Sequence, residues 1–337
     1  MNRDEAREAK AHAVAVARTL AGRTVRASSS AGPTPLAVGL APRDDGGYAV
    51  ALRYRLGVPG VRSLARKVAA EVAQAGLTVD VRRTGRIRAF GDSGSSISVP
   101  GPRPPVATAQ ALGETGRVRP LRPGVSIAHA RVTAGTLGAF VLVDGVLHAL
   151  SNYHVLAGSP AARTGDVILQ PGPADGGRPA RDRVGTLAAV VPLTAGQPAV
   201  VDAAIARLDD DEVDARYPVG YVTTTARAVG GEAVGKIGRT TSVTSGRVTA
   251  IELDDVVVGY GEELGNLRFD DQIEVEGTGA VAFSQGGDSG SLVYREDGVA
   301  LGLLFAGSES GGDNGRGLTY VNPIDAVLGA LDATLLA

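Results

Sequence analysis

The chain has 337 residues, 44% of them hydrophobic and 4% aromatic, with 47 glycines and a formal net charge of −2. That is long enough for two units with a sizeable core, and the near-neutral charge argues against nucleic acid or an anionic membrane as partner. Cysteine is absent, which excludes disulfides and thiolate metal sites.

Residues 2–20 read as an amphipathic helix. Its start is charged at Arg3, Asp4, Glu5, Arg7, Glu8 and Lys10, and the apolar stretch at 13–17 is too short for a signal-peptide core. No run approaches the roughly 20 apolar residues of a membrane span. With no cysteine present, the expectation is a cytosolic protein. Arginine carries almost all the positive charge, beside only Lys10, Lys67 and Lys236, a composition typical of a GC-rich bacterial genome.

Strands are expected at 36–40 and 48–54, around the turn Asp44-Asp45-Gly46-Gly47. A helix follows at 61–75, where Val61, Leu64, Val68, Ala69 and Val72 share one face, closed by Gly76. Further strands are expected at 77–82 and 87–90. Residues 1–91 therefore read as a small α/β unit, and 92–117, with Pro100, Pro102, Pro104 and Pro105, as a linker.

The rest of the chain, 118–337, reads as all-β. Apolar runs at 139–143 and 146–151 flank Asp144-Gly145, a two-residue hairpin signal. Short strands with glycine turns continue at 167–170, 184–191, 202–208, 217–221, 235–238, 242–253, 256–260, 267–275, 281–283, 291–294, 300–305 and 317–321. A final helix is expected, capped by Asn322, with Pro323 in its first turn and a stripe of Ile324, Val327, Leu328, Leu331 and Leu335.

The chemistry concentrates at Ser284-Gln285-Gly286-Gly287-Asp288-Ser289-Gly290-Ser291-Leu292-Val293. A serine hydroxyl attacks a carbonyl only with a base to take its proton and donors to receive the oxyanion. Glycines beside Ser289 let the amides of Gly287 and Ser289 turn toward one hollow. Of the four histidines, His154 stands where an apolar strand gives way to a turn. Asp202, a lone acid in an apolar run, is costly to bury unpaired and suits the role of holding an imidazole. Asp144 is the alternative acid, in a turn where aspartate is common anyway. Asp288 reads as orienting the loop or pairing with a buried cation.

Histidine, aspartate and glycine-flanked serine, in that order, resemble the trypsin-like serine peptidases of the chymotrypsin fold, over about residues 118–337. The narrower resemblance is to disulfide-free intracellular bacterial members. It implies two six-stranded barrels with a closing helix, and a serine endopeptidase without cofactor, acting on protein or peptide substrates. His154, Asp202 and Ser289 would be catalytic, with the oxyanion hole at the amides of Gly287 and Ser289. In that family the residue six before the serine lies at the base of the specificity pocket, here Phe283. The far wall would include Phe305 and Gly307, favouring an apolar or small residue before the cut, although Glu309 or Asp313 could enter the pocket and select a basic one. Gly238-Arg239-Thr240-Thr241 resembles a structural segment of bacterial members.

Gly91-Asp92-Ser93-Gly94-Ser95 repeats the serine motif but leads into Ser- and Pro-rich sequence, and reads as a flexible turn. The alternative function is a catalytically silent binding or regulatory protein on a protease fold. In either case the N-terminal unit is the expected gate or assembly surface.

Overall fold

The computed structural model describes residues 1–25, 36–57, 60–89 and 111–336, with side chains from 21 to 25 left out. The repeated motif at Gly91–Ser95 and most of the expected linker lie outside the described residues.

The N-terminal unit has two helices, α1 (Arg3–Val25) and α2 (Val61–Gln74), and strands β1 (Leu36–Pro42), β2 (Tyr48–Arg55) and β3 (Val79–Thr84). β1 and β2 pair antiparallel across the expected turn, while β2 and β3 pair parallel with α2 as the crossover. Alanines 9, 13 and 17 of α1 and Ala65, Val68 and Val72 of α2 are buried in one cluster with Leu36, Val38, Val50 and Leu52. Spacings of three and four put each helical set on one face. A two-residue strand, β4 (Arg88–Ala89), ends the described part of this unit.

Beyond it come β5 (Ser126–His129), β6 (Ala139–Val143), β7 (Val146–Ser151), the helical turn α3 (Tyr153–Leu156), β8 (Val167–Leu169), β9 (Arg183–Val190) and β10 (Ala204–Leu208). The Asp144-Gly145 turn has positive φ at both residues, 49° and 76°, the primed geometry that matches strand twist. Then follow β11 (Ala233–Gly238), β12 (Ser242–Asp254), β13 (Val256–Gly259), β14 (Asn266–Phe269), β15 (Gln272–Gly277), β16 (Leu292–Tyr294), β17 (Val299–Gly307), β18 (Thr319–Pro323), the C-terminal helix α4 (Ile324–Ala330) and β19 (Thr334–Leu335).

Six of these strands close on themselves. β11 pairs with β12, β12 with β15, β15 with β18, β18 with β17, β17 with β16, and β16 with β11, all antiparallel. The first half is an open antiparallel sheet in the order β19-β6-β7-β10-β9-β8-β5. The protein is thus mainly β, with one closed six-stranded barrel, one open half-barrel and a C-terminal helix. The first of the two expected barrels does not close through backbone pairing.

The remaining differences have local causes. The expected strand at 267–275 is two strands, because Asp271 takes a positive φ of 59° and turns the chain. Residues 281–283 form no strand, and Val281 is exposed. The last helix ends at Ala330; Asp332 has φ 50°, and Leu335 pairs with Val141 in the half-barrel sheet.

The two units share one sheet. β1 pairs with the far end of β12, Val38 opposite Asp254 and Leu40 opposite Ile251. The Arg53 guanidinium lies 2.9 Å from both carboxylate oxygens of Glu274, on β15, and both residues are buried. Ala6 and Leu40 belong to the same apolar cluster as Val248, Val275 and Val321 of the barrel.

Candidate active site

His154 enters from the half-barrel. β7 ends at Ser151 and the chain bends into α3, where the Val155 and Leu156 amides donate to Asn152 O. Asp202 stands just before β10, which pairs with β7 and so returns Asp202 beside His154. Its backbone is held at both ends. Asn152 Nδ2 donates to Asp202 O at 2.7 Å, and Asp202 N donates to Asn322 Oδ1 at 2.9 Å.

The Asp202 carboxylate is buried and fully engaged on one side. His154 Nδ1 lies 2.5 Å from Oδ2, the Tyr260 hydroxyl donates to the same oxygen at 2.6 Å, and His154 N donates to Oδ1 at 3.3 Å. A buried carboxylate needs donors of this kind in place of water. A neutral imidazole that donates its Nδ1–H to this carboxylate carries its lone pair on Nε2. The Tyr260 ring meets His154 edge-on, with centroids 6.0 Å apart. Burial, with the Asp202 charge beside it, pushes the Tyr260 hydroxyl well above the usual phenol range, so it remains a donor. Burial likewise pushes Tyr153 up to about 12, again with Asp202 contributing.

Ser289 enters from the closed barrel, on the loop before β16. The carbonyls of this loop are taken one after another. Gln285 O accepts from Asp288 N, Gly286 O from Thr240 Oγ1, Gly287 O from Thr136 Oγ1, Asp288 O from Ser291 Oγ, and Ser289 O from Thr136 N. Among the described residues the amides of Gly287 and Ser289 make no hydrogen bond. Gly287 has φ 95°, and a β-carbon there would come within 2.4 Å of Thr240 Oγ1. Gly290 has φ 94°, and its β-carbon would meet Ser151 Oγ at 2.1 Å. Only glycine fits at either position.

Asp288 anchors the loop from below. Its carboxylate accepts from Thr240 N at 2.9 Å, Thr241 N at 3.0 Å, Gln285 N at 2.9 Å and Thr241 Oγ1 at 2.7 Å. Lys236 Nζ lies 3.5 Å away, and both side chains are completely buried. Burial pulls the Lys236 ammonium below its ordinary value, while Asp288 opposes that shift.

His154 Nε2 and Ser289 Oγ are both buried, and among the described residues neither has a hydrogen-bond partner. The structure therefore brings His154 and Asp202 together and does not hydrogen-bond His154 to Ser289. Such contacts are often long in a site without substrate and tighten when one binds.

Of the other sequence-derived positions, the Phe283 and Phe305 side chains are buried and Gly307 stands on a strand edge. Phe283 is 2% exposed and belongs to the barrel core with Val248, Val275 and Leu304. Phe305 is buried, its ring tilted 50° to that of Phe269 with centroids 4.7 Å apart, and Phe269 in turn stacks on Tyr260 at 5.8 Å. Gly307 lies on the edge of β17, paired with Arg88. Asp144 sits at the hairpin tip, away from these contacts.

Sequence reasoning missed Tyr260, Asn322 and Lys236. A tyrosine ending an apolar strand needs a partner for its hydroxyl, which was a usable signal for Tyr260. Lys236 lies in the run Val234-Gly235-Lys236-Ile237 in a chain that otherwise prefers arginine. Asn322 carried only the signal of a helix cap, and its side chain instead bridges Asp202 N and Gln272 Oε1.

No protein-family profile matches the chain, and no curated protein does either. Solved structures similar to it include Thermobifida fusca Protease A, at 20% identity over 64% of this chain and 98% of that one, with a TM-score of 0.45. A glutamic acid-specific serine protease that uses a histidine triad in substrate binding is 24% identical over 64% and 100%, with a TM-score of 0.44. Cellulomonas bogoriensis chymotrypsin is 21% identical over 64% and 98%, with a TM-score of 0.43.

Proposed function

We propose that this protein is a serine endopeptidase that cuts peptide bonds through an acyl-enzyme, gated by its N-terminal unit. The observation that carries the reading is the short His154–Asp202 contact, with Nε2 making no hydrogen bond among the described residues. In this mechanism Ser289 Oγ attacks the substrate carbonyl while His154 Nε2 takes its proton. Asp202 holds the imidazole and offsets the imidazolium charge, and Tyr260 steadies Asp202. The amides of Gly287 and Ser289, left without partners, receive the oxyanion. His154 then returns the proton to the leaving amine, and water repeats the cycle on the ester.

The second reading is a protease-fold binding protein that does not cut. The partnerless, buried Ser289 Oγ and His154 Nε2 favour it. Treatment of the full chain with a fluorophosphonate probe separates the two. The peptidase reading expects a covalent adduct that disappears in Ser289→Ala. Undiminished labelling of Ser289→Ala, or labelling lost instead in Ser93→Ala, overturns the assignment.

A further inference from the structure

A slot one strand wide runs beside the candidate site. One wall is β13, which leads directly into Tyr260, the donor to Asp202. The other is the end of β17. Leu304 on that strand exchanges backbone hydrogen bonds with the nucleophile loop, Gly290 N to Leu304 O and Leu304 N to Ser291 O, each 2.9 Å. Two residues further on, Ala306 and Gly307 present the edge that faces β13. Walls with one strand between them stand roughly 9–10 Å apart, two inter-strand spacings. That is the width of one extended polypeptide, held by main-chain hydrogen bonds on both sides.

The chain fills this slot itself. Ala89 lies opposite Ala306 and Arg88 opposite Gly307, both antiparallel, and Arg88 pairs with Gly259 on the other wall. The Gly259 amide donates to Ile87 O at 3.1 Å. The contact continues upstream as a strap: Gly85 N donates to Ser310 O, and Gly312 N to Arg83 O. The Ala89 side chain is 2% exposed and belongs to the apolar cluster that holds Tyr260, Phe269 and Phe305. A two-residue strand with unlike pairings on its two sides is a small energetic commitment, and short segments of this kind open readily.

We propose that Ile87–Ala89 is an autoinhibitory strand, occupying from within the slot that an extended polypeptide substrate takes when the enzyme works. The proposal rests on the peptidase reading above and adds the means by which the N-terminal unit gates the site. Release of residues 87–89 exposes the edges of β13 and β17 together, while β1, α1 and α2 stay docked through β12 and the Arg53–Glu274 pair.

The test uses full-length protein. Ala89→Pro removes a main-chain donor inside the slot, and the Ala89→Cys/Ala306→Cys pair supplies the only two thiols of a cysteine-free chain. Facing positions of an antiparallel pair can be cross-linked by oxidation and released by reduction. Fluorophosphonate labelling and digestion of a peptide library are read on each form. The expected results are a rate at least tenfold above wild type for Ala89→Pro, and at least a tenfold fall when the cysteine pair is oxidised, reversed by reduction. The oxidised and reduced forms share one folded protein, so this comparison stands if Ala89→Pro does not fold. Equal rates across wild type, Ala89→Pro and both redox forms overturn the autoinhibitory strand and leave the peptidase reading intact. No reaction in any form, with folded protein, overturns both.

Discussion

Lys236 Nζ and the Asp288 carboxylate lie 3.5 Å apart with no exposure of either side chain. Asp288 also receives three backbone amides and a threonine hydroxyl. The pair therefore sets the shape of the loop that carries Gly287 and Ser289. Removing one member strands a buried charge, which costs roughly 3–5 kcal/mol. Lys236→Met should lower unfolding stability by about that amount and reduce probe labelling of Ser289. Lys236→Met/Asp288→Asn should recover most of the stability and little of the labelling. Denaturant melts beside labelling rates check this, and full recovery of both in the double variant would contradict it.

Among the described residues Tyr260 is the one side chain other than His154 that bonds the Asp202 carboxylate. A hydrogen bond to a charged group is worth about 1.5–3 kcal/mol. Tyr260→Phe keeps the ring packing and should lower kcat/KM on the order of tenfold, mostly in kcat. Tyr260→Phe with unchanged kcat would show that Asp202 needs no such support.

Gly287→Ala should abolish labelling while the protein still folds. The new methyl group meets Thr240 Oγ1 and sits at a φ of 95°, so the peptide must turn and the free amides with it. Circular dichroism and labelling on the same sample check both halves of this expectation.

Loss of the N-terminal unit should unfold the barrel. Glu274 is completely buried and paired with Arg53 at 2.9 Å, and the far end of β12 would lose β1. Arg53→Met alone should cost roughly 3–5 kcal/mol. A fragment of residues 118–337 should melt well below the full chain, or aggregate through the bared edge of β12. A fragment as stable as the full chain would contradict the shared sheet.

The buried tyrosines set an alkaline limit. Burial raises Tyr217, Tyr260 and Tyr320 above the ordinary value of 10.0, and raises Tyr294 to about 12. An acid with a raised folded pKa holds its proton more tightly when folded. Its stabilisation is fully present below pH 10 and is lost as pH rises through the folded values. Melting temperatures should therefore fall steeply above pH 10, with tyrosine ionisation at 295 nm appearing in the same step as unfolding. Ionisation near pH 10 without unfolding would contradict this.

Much of this was legible in the sequence because local signals and the fold agreed. Asp144-Gly145 dictated its hairpin, and period-two apolar runs marked most strands to within a residue or two. His154, Asp202 and Ser289 stood out because each is a polar side chain in a setting that demands a partner. What the sequence hid depends on long-range pairing. Nothing local tells that Leu36–Pro42 joins β12, or that Arg88–Ala89 lies between β13 and β17. Asn322 looked like a cap because its true partner is 120 residues away. Phe283 was placed by analogy of position; its ring packs in the barrel core with Val248 and Val275.

The central claim is tested most directly by a crystal structure of the full chain, with Ala89→Pro, after reaction with a fluorophosphonate. The account predicts phosphorus bonded to Ser289 Oγ, with the phosphonyl oxygen about 2.7–3.1 Å from the amides of both Gly287 and Ser289. It also predicts His154 Nε2 within hydrogen-bond reach of the adduct and Nδ1 still on Asp202. An adduct on another residue, or an oxygen on Ser289 turned away from both amides with His154 out of reach, would contradict it.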